Sequence, residues 1–436
     1  MKRVFCSILA GLMMLSMFTG CSSSQNSSAA ADGEKTVVEL WTVWKTDAET
    51  GSGKVLREAV EEFMAQNPDI VINISNQGGY DDIAEKLEAS IVAKNPPTLA
   101  TVEETHVQRF SPVAADLSQY LPAEVIDNYV DGLMHTCTID GVVKAVPFGR
   151  SSTILYMNKN LVEAAGLSTD GPKTWEEFYQ YAEAMTDPEN GVYGWGQDFD
   201  TDAWIWESML YSYGGEIISD DLKTVLFDET PASYEIVETM QDMADAGTLF
   251  NPYSMQGEAW DILKSKFIEG KIGMLITSIA SSSEIQRLGR ENGFETVLAF
   301  QPMGTEYSVP TGGNNIIMFE SASDAEKEAA AKFLEFLASD EIAAKHNQET
   351  GYFPVTETSM EHSIVQEHLA DFPSYQKALD QLQYTHSRPM TKNWKNMYTV
   401  ILDELKACMT DTSADAKAAI ESAAEKCQKI LDENPD

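Results

Sequence analysis

The sequence is poor in cysteine. It has 5 in 436 residues, and beyond position 21 only Cys137, Cys408 and Cys427 remain. Small domains that depend on disulfides carry cysteines at a far higher density, so this spacing excludes a disulfide framework. Cys408 and Cys427 could pair if two C-terminal helices pack together, but three free thiols are the simpler interpretation.

Basic residues are also scarce. Lys and Arg total 30 against 69 Asp and Glu, which gives a formal net charge of -39 at pH 7. Nucleic-acid binding depends on clustered cations that neutralise phosphates, so the composition predicts no nucleic-acid partner. The acidity is typical of a soluble, exposed protein. The sequence has no internal repeat, which argues against a repetitive adhesin.

One long apolar run is present, and it lies at the N-terminus. Two basic residues precede Val4–Phe18, about 15 residues that are too few to span a bilayer, which takes roughly 20. A basic start, a short apolar core and small residues before Cys21 are typical of an export signal. The sequence therefore predicts a signal peptide over 1–20 and a Ser-rich flexible tether over 21–35, too polar to fold.

The segment that ends at Cys21 resembles the lipobox of bacterial lipoproteins, in which this cysteine becomes the acylated first residue. Phe18 departs from the leucine that is usual three places earlier. The resemblance implies lipidation of Cys21 and an extracytoplasmic protein held at the membrane, since each buried acyl methylene contributes about 0.8 kcal/mol. A plain secretory signal cut nearby is the alternative.

Alternating strand and helix patterns open the folded part. Their order, βαβαβ, predicts a parallel sheet in an α/β fold, and about 400 remaining residues predict two lobes. Ligands lie beyond the carboxyl ends of such strands, where the loops with Trp44, Tyr80 and Glu103-Glu104 should face a common crevice. The predicted strands and helices are Val37–Trp41, Val55–Met64, Ile70–Ile74, Ile83–Ile91 and Leu99–Val102.

Motifs for catalysis or metal binding are weak or broken. A glycine-bearing stretch over 166–174 looks superficially like a phosphate-binding loop, but Pro172 interrupts it and Thr174 is better explained as a helix N-cap. His362 and His368 would face different sides of a helix, and no paired metal-ligand spacing exists. The sequence therefore predicts no metal, no cofactor and no enzyme. The competing class is a lipid-anchored glycosidase or phosphodiesterase.

Four segments carry the strongest functional signal: PFGRSSTILYMN over 147–158, KIGMLITS over 271–278, the pair Gly312-Gly313, and TGYFPVT over 350–356. In this order they resemble the extracellular solute-binding proteins of ABC importers, the sugar-binding family, over essentially the whole mature chain. Together with Arg388, they resemble in particular the binders of glycerol-3-phosphate and glycerophosphodiesters.

The resemblance implies a two-lobed periplasmic-binding-protein-like fold of type II, each lobe a mainly parallel sheet flanked by helices. The lobes are expected to comprise 36–146 plus 282–330, and 147–281 plus 331–436. A monomer would capture glycerol-3-phosphate or a glycerophosphodiester by hinge closure and deliver it to the membrane permease. An oligosaccharide is the alternative ligand.

The resemblance also implies which residues bind the ligand. A carboxylate would accept hydrogen bonds from hydroxyls, and an aromatic face would pack on the carbon skeleton. Arg388 and the N-terminus of a helix from Ala280 would hold a phosphate. Arg150 departs from the small hydroxyl residue common in phosphate binders. The expected ligand-binding residues are Tyr80, Glu104 with Glu103 as second choice, Ser151, Trp204, Trp206, Ser278, Gly312, Gly313, Tyr352, Arg388 and Trp44.

Overall fold

The structure of the protein is a computed structural model that describes residues 35–253, 255 and 258–435, with the side chains of 199–202 excepted. The predicted signal peptide, Cys21 and all of the predicted tether except Lys35 lie outside the described residues. Within the described part the strands are β1 (Thr36–Thr42), β2 (Ile70–Asn76), β3 (Leu99–Glu103), β4 (Thr138–Ile139), β5 (Val142–Val143), β6 (Ala145–Asn158), β7 (Tyr193–Gly196), β8 (Leu249–Phe250), β9 (Ile272–Ser278), β10 (Thr296–Ala299), β11 (Val309–Met318) and β12 (Thr385–His386).

Helices cover both faces of the main sheet and form the C-terminal end of the chain. In the same described part they are α1 (Gly51–Gln66), α2 (Tyr80–Val92), α3 (His106–Phe110), α4 (Ala123–Ile126), α5 (Asp131–Met134), α6 (Lys159–Ala164), α7 (Trp175–Met185), α8 (Phe199–Ser212), α9 (Ala232–Asp245), α10 (Ala259–Ile268), α11 (Ser282–Glu291), α12 (Asp324–Leu337), α13 (Asp340–Thr350), α14 (Ser363–Asp371), α15 (Gln376–Gln381), α16 (Trp394–Thr410) and α17 (Ala416–Glu433). Thr174 caps α7 by accepting a hydrogen bond from the Glu177 amide, as predicted.

The main sheet is mixed, in the order β2-β1-β3-β11-β6-β9-β7-β8, with β10 beside β6 and β12 beside β11. Strand β1 pairs in parallel with β2 and β3, which confirms the predicted βαβαβ order. Strand β7 likewise pairs in parallel with β8 and β9. Strands β6 and β11 run antiparallel to each other between these two parallel groups.

Strand β6 contains the PFGRSSTILYMN segment, and all of its residues are buried. Its pairing with β11 sets Ser151 opposite Gly312. Gly313, the next residue of β11, has a φ of 96°, and a Cβ there would collide with the Gly149 carbonyl oxygen. The pairing of β6 with β11 therefore requires glycine at position 313, because the positive φ and the close Gly149 carbonyl leave no room for a side chain.

The hydrophobic interior comprises several clusters rather than one core. One packs α1 and α12 against β1 and β2, and another packs α7, α8, α9, α16 and α17 around β9. Cys137, Cys408 and Cys427 are buried and free, so Cys408 and Cys427 do not pair. Trp41 is half-buried against a third cluster. None of the described helices is long and apolar enough to cross a membrane.

Candidate functional site

A cavity of about 530 Å³ lies where α2, β3, β6 and β11 meet the start of α16. This volume is within the usual range for small-molecule pockets, roughly 300 to 1,000 Å³. Its lining draws on distant parts of the chain, because the sheet order sets β3, β11 and β6 side by side. Nine of the twelve residues expected to bind ligand line it: Tyr80, Glu103, Ser151, Trp204, Ser278, Gly312, Gly313, Tyr352 and Arg388.

Glu104 lies beneath the cavity rather than in its lining. Its carboxylate is fully buried, forms an ion pair with the equally buried Arg150 and accepts a hydrogen bond of 2.9 Å from the Thr311 hydroxyl. Glu103, the second choice from the sequence, lines the cavity instead. Arg150 is thus committed to a buried ion pair and does not line the cavity.

Trp206 is a core residue in this structure. Its Nε1 donates to the Ser233 carbonyl oxygen at 2.7 Å, and its ring packs edge-on against Phe227. Residues two positions apart on an α-helix are rotated by about 200° relative to each other, so Trp204 and Trp206 point to nearly opposite sides of α8. Only Trp204 faces the cavity.

Trp44 lines a second cavity, of about 610 Å³, that adjoins the first one. The two cavities share Ala280 and Tyr352 as lining residues. The Trp44 ring packs edge-on against Phe148 and His346, at 5.6 and 6.2 Å between ring centroids. A ligand would therefore contact Trp44 only if it occupied this second cavity.

Arg388 is the central cation of the first cavity. Its Nη1 donates to Glu103 Oε1 at 2.8 Å and its Nε donates to Glu207 Oε2 at 3.2 Å. The guanidinium lies 5.1 and 5.3 Å from the ring centroids of Trp394 and Tyr398. Burial disfavours its charge, but Glu207 and Glu103 outweigh that cost and raise the pKa of Arg388. The side chain is therefore charged and fixed in place.

Two tyrosines form the opposite side of the lining. The Tyr80 hydroxyl accepts a hydrogen bond of 3.0 Å from the Asn314 amide. Burial raises the pKa of Tyr80 and of Tyr352. Both phenols are therefore neutral at physiological pH, and each can exchange hydrogen bonds with a hydroxylated ligand.

The region of Ser278 differs from the prediction of a helix that begins at Ala280. A 3-10 turn, Ile279–Ser281, comes first, and α11 begins at Ser282. The Ser278 hydroxyl caps the turn by accepting a hydrogen bond of 3.1 Å from the Ala280 amide. That amide is consequently already occupied within the turn, and Ser278 itself lines the cavity.

Several lining residues had no signal in the sequence. Lys395 forms ion pairs with Asp81 at 3.1 Å and with Glu85 at 3.7 Å. Burial lowers the pKa of His106, despite the nearby Glu103, so this imidazole is neutral. The residues missed from the sequence are Gly79, Asp81, His106, Ala280, Trp394, Lys395, Tyr398 and Thr399. No group of three or more described His, Cys, Asp or Glu residues is arranged to hold a metal.

Gly312 gives the Trp204 ring its place against the sheet. A Cβ at 312 would lie 2.6 Å from Trp204 Cζ2, so the ring lies directly over this glycine. We expect Gly312→Ala to push the ring into the cavity and so to weaken ligand binding, beside the loss of about 1–3 kcal/mol in folding stability that overpacking typically causes. Calorimetric titration of the wild type and Gly312→Ala with a ligand that binds measures the change in affinity.

The double variant tests this explanation. In a Trp204→Ala background the added methyl meets no ring, so Gly312→Ala should then change the affinity little. Equal losses in both backgrounds, or unfolding of Gly312→Ala alone, would contradict it.

A sequence profile described as a bacterial extracellular solute-binding protein matches residues 58–374. The sn-glycerol-3-phosphate-binding periplasmic protein UgpB of Agrobacterium fabrum is 26% identical over 404 residues, which cover 87% of this chain and 90% of that protein. A putative binding protein of Brucella abortus is 26% identical over 433 residues, covering 97% of each chain.

Solved structures of similar proteins share the fold. UgpB from Mycobacterium tuberculosis in complex with glycerophosphocholine superposes with a TM-score of 0.79 at 22% identity, over 92% of this chain and 99% of that one. The cyclic alpha-maltosyl-1,6-maltose binding protein from Arthrobacter globiformis gives a TM-score of 0.75 at 24% identity, over 92% and 100% of the two chains. The fold is therefore that of type II periplasmic-binding-protein-like proteins.

The chain belongs to the bacterial extracellular solute-binding protein family. It is a solute-binding protein of an ABC importer, and the family places it outside the cytoplasm. The relatives reported above are binding proteins rather than enzymes.

Proposed function

We propose that this protein captures a glycerol phosphoester, with a glycerophosphodiester favoured over glycerol-3-phosphate, and delivers it to the permease of its importer. The observation that carries the proposal is the position of Arg388, a buried cation that lines the same cavity as Ser151 and Trp204. An arginine can hold a phosphoester through charge-assisted hydrogen bonds, and the indole supports the carbon skeleton.

The charge of the lining favours a diester with a cationic head group. Among the described lining residues the charged ones are Asp81, Glu103, Arg388 and Lys395, two of each sign. A doubly charged phosphomonoester would leave this balanced cavity strongly negative, whereas a zwitterion such as glycerophosphocholine adds no net charge. Its quaternary ammonium group also suits the aromatic face of Tyr80.

An oligosaccharide is the second candidate ligand. The adjoining cavity with Trp44 extends the space that a ligand of several sugar rings would need. Aromatic faces pack well against the C–H groups of a pyranose. The relative from Arthrobacter globiformis, which binds a cyclic maltose derivative, supports this alternative.

The remaining parts of the proposal concern the chain outside the cavity. Lipidation at Cys21 would anchor a monomer to the outer face of the membrane, with residues up to 35 as a tether. The two lobes would comprise 36–146 plus 282–330, and 147–281 plus 331–436. They would close on the ligand and later release it without changing it chemically.

Calorimetric titration of residues 22–436 tests the ligand class. We expect one-to-one binding of glycerophosphocholine and recovery of the intact ligand afterwards. A thermal-shift scan provides an independent readout, since a ligand at 100 times its dissociation constant adds about 2.7 kcal/mol of stability. Binding of maltose-type sugars without any binding of phosphoesters would replace the first proposal by the second. Steady hydrolysis of the ligand would contradict the binding function.

A further inference from the structure

Glu207 is a buried carboxylate that the ligand-binding prediction did not include. It is 1% exposed, lies on α8 one turn from Trp204 and holds Arg388 by its Nε at 3.2 Å. The Tyr211 hydroxyl donates to its other oxygen at 2.9 Å. Both oxygens of Glu207 therefore have fixed partners, and one of them is the cation of the cavity.

Arg388 contacts two carboxylates, those of Glu103 and Glu207, so its one positive charge faces two negative charges. Glu103 lies at the cavity surface, with 21% of its side chain exposed, whereas the Glu207 side chain is 1% exposed. An anionic ligand would bring a third negative charge to the same guanidinium. Repulsion between negative charges is screened least where the charges are most buried. Of the two carboxylates that contact Arg388, Glu207 therefore has the higher free-energy cost for staying ionised beside a bound anion.

We propose that Glu207 positions Arg388 for the ligand and takes up a proton when an anionic ligand binds. This inference rests on the proposed function, because it requires an anion at Arg388. A protonated Glu207 still accepts the hydrogen bond from Arg388 Nε at Oε2, while the added proton on Oε1 donates to the Tyr211 oxygen, which changes from donor to acceptor. The neutral carboxyl then no longer competes for the charge. Anion binding is then linked to pH through a residue that the ligand need not touch.

The surroundings of Glu207 agree with this role. Burial raises the pKa of Glu207 to about 7, although Arg388 and Tyr211 oppose the shift, and Glu104 adds to it. The charged and titratable groups near Glu207 and Arg388 on the packed elements are Tyr211 on α8, Tyr398 on α16, Glu103 at the end of β3, Glu104 directly after it, Asp198 before α8, and His386 on β12, whose ring packs on Tyr211.

The shifted pKa values of His386, Tyr211 and Tyr398 all lie away from neutral pH. Burial lowers the pKa of His386 to about 4, and burial raises the pKa of Tyr211 and Tyr398. Because a bound anion raises the pKa of Glu207 above its value in the free protein, protons are taken up in the window that begins near pH 7. Affinity for the anion should then fall as the pH rises through this window.

The test uses glycerophosphocholine as the probe, because its phosphodiester carries a constant charge over the relevant range. We expect the affinity of the wild type to fall about three- to tenfold between roughly pH 7 and pH 8.5, with proton uptake visible as a dependence of the calorimetric enthalpy on the buffer. Glu207→Gln should abolish both effects while keeping the shape of the side chain. Glu207→Ala should weaken binding at every pH because Arg388 loses its support.

Glu295→Gln is the matched control, since it removes an exposed carboxylate paired with Lys159 outside the cavity. This variant should keep the slope of the wild type. An identical pH slope in wild type and Glu207→Gln would overturn the role of Glu207 alone. A wild type that binds glycerophosphocholine at no pH would overturn the proposed function and, with it, this inference.

Discussion

Replacing Arg388 with alanine is expected to weaken the binding of glycerophosphocholine by roughly 10- to 150-fold, which corresponds to about 1.5–3 kcal/mol for a hydrogen bond to a charged group. The loss should be much smaller for a neutral sugar that binds, since no anion is then left without a counter-charge. Calorimetry of both ligands on wild type and Arg388→Ala gives the ratio of the two losses.

Two further variants separate binding from folding in this experiment. Arg388→Lys keeps a charge beside Glu207 but loses the planar fork, so it should bind the diester at an intermediate affinity. Arg290→Ala removes a cation that pairs with Asp371 outside the cavity, and it should bind as the wild type does. Equal losses for the anionic and the neutral ligand in Arg388→Ala would mean that Arg388 acts through the structure of the site and not through its charge.

Replacing Arg150 with methionine is expected to destabilise the protein by about 3–5 kcal/mol, because it leaves the fully buried Glu104 carboxylate without its ion-pair partner. Unfolding in urea, followed by circular dichroism, measures the change. The double variant Glu104→Gln with Arg150→Met should recover most of this loss, since the uncompensated charge is then gone. Affinity for the ligand should change little in the double variant, because neither side chain lines the cavity.

Arg109→Met is the control for this series. Arg109 pairs with Glu88 at the surface, where 49% of the glutamate side chain is exposed. Such pairs contribute about 0–1 kcal/mol, so this variant should unfold close to the wild type. If Arg150→Met unfolded no more easily than Arg109→Met, the buried pair would not be a structural element, and Glu104 would again be a candidate ligand residue.

Local patterns were sufficient for the first part of the fold. The strand predicted over Ile70–Ile74 and the end of the helix predicted over Val55–Met64 both agree with β2 and α1 to within two residues. The paired glycines at 312 and 313 were also found, but with a different explanation. The prediction listed them as ligand-binding residues, whereas contacts with Gly149 and Trp204 already require glycine there.

The predicted site differs from the lining of the cavity where the direction of a side chain depends on tertiary packing. Glu103 and Glu104 are adjacent at the end of a strand, where successive side chains point to opposite faces, so only one can face the cavity. The sequence does not say which face is the open one. The same ambiguity separates Trp204 from Trp206 on α8.

Glu207 shows what no local pattern could supply. It lies in the apolar run of α8, and its contact with Arg388 joins residues 181 positions apart. Trp394 and Tyr398 were missed for a related reason, since α16 has the amphipathic pattern of any helix packed on a core. Only the assembled sheet and helices bring these residues to the cavity.

The position of the bound ligand is the most direct test of the account. A crystal structure of residues 22–436 grown with glycerophosphocholine should show the phosphodiester within hydrogen-bond distance of Arg388, with the glycerol carbons against Trp204. Ligand density in another cavity, such as the one formed by Arg287, Arg290 and His368, would contradict the assignment of the site.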